Sequence, residues 1–148
     1  MPEAAAIQTV LGFDFGTRKF GVATGQRITA TASPLPPIPS RDGIPDWTVV
    51  DSLLAEWRPQ ALLVGLPLNM DDSESDISRR ARKFGRRLDA RYRLPVWMVD
   101  ERLTSRAARD LLAEAGSRHK GRLASVDSTA AVLMTEGWLQ APECGLKP

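Results

Sequence analysis

Three acidic positions stand on apolar ground in this sequence. Asp14 ends the run Thr9-Val10-Leu11-Gly12-Phe13, the pair Asp100-Glu101 directly follows Val96-Trp97-Met98-Val99, and Asp127 precedes an apolar stretch with Ala130, Leu133, Met134 and Trp138. A carboxylate placed among apolar residues loses solvation, costs several kcal/mol when unpaired, and calls for a positive partner. Each acid also has an ordinary role: a turn acceptor at Asp14, a solvated strand end at Asp100-Glu101, and at Asp127 a first-turn acid favoured by the helix dipole by about 0.3 to 1 kcal/mol. Delivered together to one end of a sheet, they make a hard-oxygen site suited to Mg²⁺ or Mn²⁺. Such a site serves phosphodiester hydrolysis, where two ions about 3.5 to 4 Å apart activate water and stabilise the leaving oxygen. Spacing alone leaves Asp100 and Glu101 as alternatives. His119 is the only histidine, so no histidine-rich zinc site can form, and it reads as a solvated loop residue. Ser105 and Ser128 have no histidine at a spacing typical of a hydrolase triad.

The acids meet only if the segments that carry them form a sheet with converging strand ends. Alternation along the first strand puts Leu11, Phe13 and Phe15 on one face and Val10, Gly12 and Asp14 on the other, with Gly12 leaving space beside the acid. A tight turn at Gly16-Thr17 leads to an antiparallel strand over 18–24, and a third strand over 28–32 completes a meander. Residues 33–45, with Pro34, Pro36, Pro37, Pro39 and Pro45, read as an exposed connection. Asp46 caps a helix with the stripe Trp47, Val50, Leu53, Leu54 and Trp57, ended by Pro59. The apolar run 61–65 is a strand buried on both faces, followed by a loop over 66–72 and a capping box over Ser73 to Asp76. The next helix carries Ile77, Ala81, Phe84, Leu88 and Tyr92 at helical spacing, and 96–99 is another buried strand. Thr104 caps a helix closed by Gly116, a basic loop follows with Arg118, His119, Lys120 and Arg122, and Ser125 caps the last helix with Asp127 in its first turn. In open α/β sheets ligands collect at the C-terminal ends of the strands, which is where these acids fall.

With 148 residues the chain is sized for one domain, with an ordered core over about 8–140 and tails over 1–6 and 141–148. Its 43% hydrophobic and 26% charged residues exclude disordered and fibrous classes. Cys144 is the only cysteine, which rules out a disulfide framework and suits a reducing cytoplasm. No apolar run is long enough to span a membrane, and Met1 to Ile7 lacks the parts of a signal peptide, so a cytoplasmic protein without membrane contact is expected. The net charge of +2 is unremarkable, but its distribution is not. Between Ser78 and Arg93, Arg79, Arg80, Arg82, Lys83, Arg86, Arg87, Arg91 and Arg93 face a single acid, Asp89, and most of them lie opposite the apolar stripe. Such a one-signed face is a candidate footprint for a phosphate backbone.

Four segments carry a resemblance. They are Gly12 to Ala23 (GFDFGTRKFGVA), Val64 to Asp71 (VGLPLNMD), Val99 to Ser105 (VDERLTS) and Val126 to Ala131 (VDSTAA), and in order and spacing they are similar to the YqgF/RuvX family. The resemblance covers nearly the whole chain. It implies an α/β, ribonuclease H-like fold with a mixed five-stranded sheet, an antiparallel meander then parallel strands, flanked by helices. It also implies a metal-dependent endonuclease that processes the 5′ end of pre-16S rRNA, with Asp14, Glu101 and Asp127 as the ligands of Mg²⁺ or Mn²⁺. Nucleic-acid contacts are expected from Arg18, Asn69 and Arg102 within the segments, from Arg79, Lys83 and Arg86 on the basic helix, and from Lys120 and Arg122 in the basic loop. Asp72 stands where many members carry glycine and adds negative charge beside the expected phosphate path. A Holliday-junction resolvase acting on branched DNA is the alternative, and a nucleotide-binding module of the actin and sugar-kinase type is a third reading, disfavoured because such proteins sandwich their nucleotide between two domains. The expected state is a monomer or weak homodimer.

Overall fold

The computed structural model describes residues 7–69, 71, 73–101 and 128–148. The elements are β1 (Thr9–Asp14), β2 (Lys19–Gln26), β3 (Thr31–Arg41), β4 (Ile44–Pro45), α1 (Trp47–Trp57), β5 (Ala61–Leu66), α2 (Asp76–Tyr92), β6 (Val96–Asp100) and α3 (Thr129–Gln140), then a short 3₁₀ turn, Pro142–Cys144. The sheet runs in the order β4-β3-β2-β1-β5-β6. β1 to β4 pair antiparallel, and β1, β5 and β6 run parallel to one another. The expected meander followed by parallel strands is present, with six strands rather than five.

The added strand comes from the proline-rich stretch. Residues 27–30 form a turn in which Ala30 adopts φ 52°, so the third strand begins at Thr31 and runs on to Arg41 instead of lying over 28–32. Proline is compatible with an edge strand when its nitrogen faces away from the neighbour. The Pro39 carbonyl accepts from Asp46 N on the outer side, and a strand residue points its N–H and C=O the same way, so the missing donor of Pro39 falls outside the β2–β3 ladder. Pro34 alternates with Leu35, whose carbonyl points inward.

Two helices cover one face of this sheet. Asp46 caps α1 by accepting from Thr48 N at 3.0 Å, and Arg58 in the left-handed region ends it before Pro59. The α2 cap lies two residues later than the expected Ser73 to Asp76 box: Ser75 and Ser78 satisfy each other's backbone amides, and the Ser78 hydroxyl also donates to the Pro67 carbonyl. Leu11, Phe13, Phe15, Phe20, Val22, Leu62 and Val64 pack here against Val50, Ala81, Phe84 and Leu88. Phe84 is the hub, with ring centroids 4.7 Å from Phe20, 5.6 Å from Phe13 and 5.9 Å from Trp47. On the rim, Arg91 donates to both Asp51 oxygens at 3.0 and 2.7 Å, and the Tyr92 hydroxyl donates to Asp51 at 2.5 Å, clasping α2 to α1.

The other face is covered by α3, which is largely buried as its apolar composition predicts. The helix sits close because two strand glycines admit it. A Cβ at Gly12 would stand 2.0 Å from Thr135 Oγ1, and one at Gly25 would stand 2.7 Å from Thr135 Cγ2. The described helix begins at Thr129 with Ser128 at the N-cap, and the expected cap Ser125 and first-turn acid Asp127 lie outside the described residues. Ser128 has a different task. At the bulge between Phe20 and Val22, the Val22 amide donates to Ser128 Oγ at 3.0 Å and Ser128 Oγ donates to the Leu35 carbonyl at 2.7 Å. Val22 and Leu35 are register partners, so this hydroxyl completes the β2–β3 ladder where the strands part.

Residues 141–148, expected to lie outside the ordered core, close the far edge. Met98 and Leu146 exchange backbone hydrogen bonds of 2.6 and 2.8 Å, and Arg82 donates to the Lys147 carbonyl at 2.7 Å. No helix among the described residues is long and apolar enough to cross a membrane. The helix expected after Thr104 and the basic loop with His119 lie outside the described residues.

Candidate active site

Strand alternation decides which face each acid occupies. Leu11 and Phe13 enter the α1/α2 core and Val10 the α3 core, so Asp14 ends β1 on the α3 face, half-buried. On β5, Leu62 and Val64 face α1 and α2 while Ala61 and Leu63 face α3, which gives Gly65 to the α3 face. On β6, Val96 and Met98 face one way and Val99 the other, so the alternation sends Asp100 toward α2 and Glu101 toward α3. The sequence left those two open, and the fold separates them.

Gly65 is the meeting point. The parallel register pairs Phe13 with Val64, which sets Asp14 beside Gly65 one step further on, at the usual strand spacing of about 4.8 Å. From the other side, the Glu101 side chain leans over Gly65, so that a Cβ there would meet its Oε1 at 2.6 Å. Asp14 and Glu101 therefore flank one strand residue that has no side chain. The signal for Gly65 was present in the sequence as a glycine ending an apolar run, but its use became clear only with both neighbours in place.

Asp127, Arg102, Lys120 and Arg122 lie outside the described residues, as does Asp72. Among the described residues no group of three histidine, cysteine, aspartate or glutamate side chains could hold an ion. Burial, together with the nearby Glu143 carboxylate, pushes the Cys144 thiol up.

The expected nucleic-acid contacts are only partly free to act. Arg18 is exposed in the β1–β2 turn. Asn69 is exposed, but its side-chain amide donates to Ser73 Oγ at 3.0 Å and its backbone amide to the Ser73 carbonyl, which closes the loop ahead of α2. The basic helix lies on the α1/α2 face, opposite Asp14 and Glu101, and acids of α2 itself and of other segments neutralise part of its charge. Arg80 pairs with Asp42, Arg82 with Glu74, Arg91 with Asp51 and Arg79, more loosely at 3.7 Å, with Asp76. Lys83, Arg86 and Arg87 are exposed and have no ion pair among the described residues. Arg87 was counted in the basic face but not among the expected contacts, although it continues the Arg80, Lys83 stripe at helical spacing.

Comparison with known proteins bears on this arrangement. Residues 8–141 match the profile of the RuvX family, described as a Holliday junction resolvase. The chain belongs to the RuvX family. RuvX relatives include a protein of Acinetobacter baylyi, 47% identical over 148 residues and covering 100% of both chains, and one of Marinobacter nauticus, 56% identical over 130 residues and covering 87% of this chain and 90% of its own. Both carry the name "Putative pre-16S rRNA nuclease". Among solved structures, T. thermophilus RuvC in complex with a Holliday junction substrate aligns with a TM-score of 0.57 at 17% identity, covering 94% of this chain and 99% of its own. RuvC from the same organism, in a second structure, aligns with a TM-score of 0.54 at 15% identity over 93% and 98%. At these identities the likeness is one of fold: this RuvX chain has the ribonuclease H-like architecture of the RuvC resolvases.

Proposed function

We propose that this RuvX chain is a single-domain, metal-dependent endonuclease of the cytoplasm that hydrolyses phosphodiester bonds in precursor ribosomal RNA, trimming the 5′ end of pre-16S rRNA. The observation that carries the reading is the pairing of Asp14 and Glu101 across side-chain-free Gly65 on the α3 face. Two half-buried carboxylates around an open strand position fit a hard divalent cation, Mg²⁺ or Mn²⁺, and poorly fit a soft metal. Asp14, Glu101 and, by family resemblance, Asp127 would hold it. When bound, the ion supplies charge neutralisation at the phosphate and activation of the attacking water.

The protein's part is positioning. Asp14 is fixed by a strand paired on both sides, and Glu101 is carried by the end of β6, whose outer edge is held by Leu146. Lys83 and Arg86, with Arg79 and the exposed Arg18, offset phosphate charge outside the site, while Arg102, Lys120 and Arg122 are the remaining cations of the contact set. RNA is favoured over a branched junction because a monomer or weak homodimer can hold a flexible strand but lacks the stable two-fold arrangement needed for paired nicks.

The test sets precursor 16S rRNA, linear RNA and a four-way DNA junction before one preparation at matched Mg²⁺ or Mn²⁺. RNA is expected to be cut faster, with any junction cutting unpaired. Symmetric paired nicks in the junction, with RNA left intact, would establish the resolvase reading instead, which the resolvase-like fold favours.

A further inference from the structure

On the α1/α2 side of the same sheet end, the β3–β4 hairpin and α2 enclose a cleft of about 230 Å³. Its inner wall is Phe15, the residue directly after Asp14, so the cleft and the carboxylates sit on opposite faces of one strand end. Gly43 keeps it open. This residue adopts φ +82°, and a Cβ there would meet Arg80 Nη2 at 2.8 Å and Phe15 Cζ at 2.9 Å. Arg80 is itself part of the wall, because it donates to the Asp42 carbonyl and to Asp42 Oδ1 and stands 6.0 Å from the Phe15 ring. Its charge is therefore largely satisfied. Lys83 and Arg87, one helical turn apart on the opposite wall, are not paired among the described residues. At the lip, Ile44 leaves 54% of its surface exposed, one of the few large apolar side chains to do so among the described residues.

An apolar wall with an exposed aliphatic lip on one side and two unneutralised cations on the other matches the two halves of a nucleotide: a ring to cover and a phosphate to neutralise. The volume is below the range of about 300 to 1,000 Å³ typical of sites that enclose a whole small molecule, and suits one base or ribose left partly in solvent. We propose that this cleft holds one nucleotide of a single-stranded RNA that passes over the Phe15-Gly16-Thr17 strand end from the carboxylates, a subsite flanking the cut. The inference rests on the nuclease reading for the direction of the strand, but its chemistry is tested without cleavage. It also explains how a basic helix on the far face contributes to a site on the α3 face. The strand wraps round the end of the sheet, and the two faces grip successive nucleotides.

The experiment is a metal-free titration of the full chain, ¹³C-labelled at isoleucine methyls, with adenosine 5′-monophosphate and with a short oligoadenylate. The Ile44 methyl is expected to shift saturably with both, while Ile28, 90% exposed in the β2–β3 turn, stays still. Lys83→Gln with Arg87→Gln should weaken oligoadenylate binding about tenfold and flatten its salt dependence. Ile44→Ser should weaken binding of the oligonucleotide but not of inorganic phosphate. Matched thermal midpoints confirm that the variants fold. Ile44 unmoved by either nucleotide, or moved equally by a polyglutamate peptide, would overturn the proposal, the second result making the cleft an acidic-peptide site. RNA cleavage with a silent Ile44 removes the subsite and leaves the nuclease, whereas a responding Ile44 in a chain that cuts nothing does the reverse.

Discussion

The two faces of the sheet are built on opposite principles. Toward α1 and α2, large side chains fill the space, and Phe84 alone touches four aromatic neighbours. Toward α3, missing side chains set the geometry: Gly12 and Gly25 let the helix descend onto the strands, and Gly65 leaves the gap between Asp14 and Glu101. Close packing is what makes one face stable. The other face tolerates half-buried carboxylates at its end because bulk is withheld there. The comparison predicts that substitutions in the buried core of the first face act on stability and those at the end of the second act on chemistry.

The largest effect tests the second half of that statement. Asp14→Asn and Glu101→Gln should each remove several kcal/mol of transition-state stabilisation, a loss of about a thousandfold or more in cleavage rate, while the thermal midpoint without metal holds or rises. Mg²⁺ should raise the midpoint of the parent and barely that of the variants. Parental cleavage in both variants would dissolve the distinction between the faces. Next comes Leu88→Ala, a fully buried core residue of the same face, expected to cost about 2 to 5 kcal/mol in urea unfolding while the folded fraction keeps its rate per molecule. A rate loss exceeding the loss of folded protein would show that the aromatic face reaches the chemistry.

Gly65→Ala is the sharper probe, since the added methyl meets the mobile end of Glu101 rather than backbone. Stability should change by less than about 1 kcal/mol, whereas cleavage should fall about tenfold as the carboxylate is displaced. A smaller and purely structural effect belongs to the α1–α2 clasp. Hydrogen bonds from Arg91, then Tyr92, lower the Asp51 carboxyl from 3.8 to about 2, outweighing the opposing effect of burial. A depressed folded value means the clasp stabilises fully above the unfolded value and loses that contribution as pH falls from 3.8 through about 2. Asp51→Asn should therefore lie slightly below the parent in thermal midpoint at neutral pH, with the two curves converging at the acid end of that window. Because these groups are exposed, the gap should be small and should shrink with salt.

The asymmetry of the faces was partly legible in the sequence. Alternation alone placed Asp14 opposite Leu11 and Phe13, and the unbroken apolar run 61–65 identified the doubly covered strand. Three features depended on distant partners. The prolines of β3 look like breakers until the direction of each nitrogen is known, and that depends on β2 and on Asp46. Glu101 separates from Asp100 only once the register of β6 is fixed. Much of the basic helix face is neutralised by Asp42 and Asp51, acids about 40 residues away in the chain, which no local pattern announces. The family motifs supplied Glu101 by resemblance, and only the register of the strands shows that its side chain lies over Gly65.

Ser128 gives this architecture an order in time. Its hydroxyl fills a place in the β2–β3 ladder from 106 residues beyond Val22 and 93 beyond Leu35. During synthesis the N-terminal meander emerges first, yet its Val22 amide and Leu35 carbonyl lack their Ser128 partner until nearly the whole chain has been made. Contacts of such long sequence separation slow folding, because the intervening chain must be ordered before the closing bond forms. The last helix is thus the step that locks the first three strands, and a ribosome that stalls before residue 128 releases a sheet with an open seam.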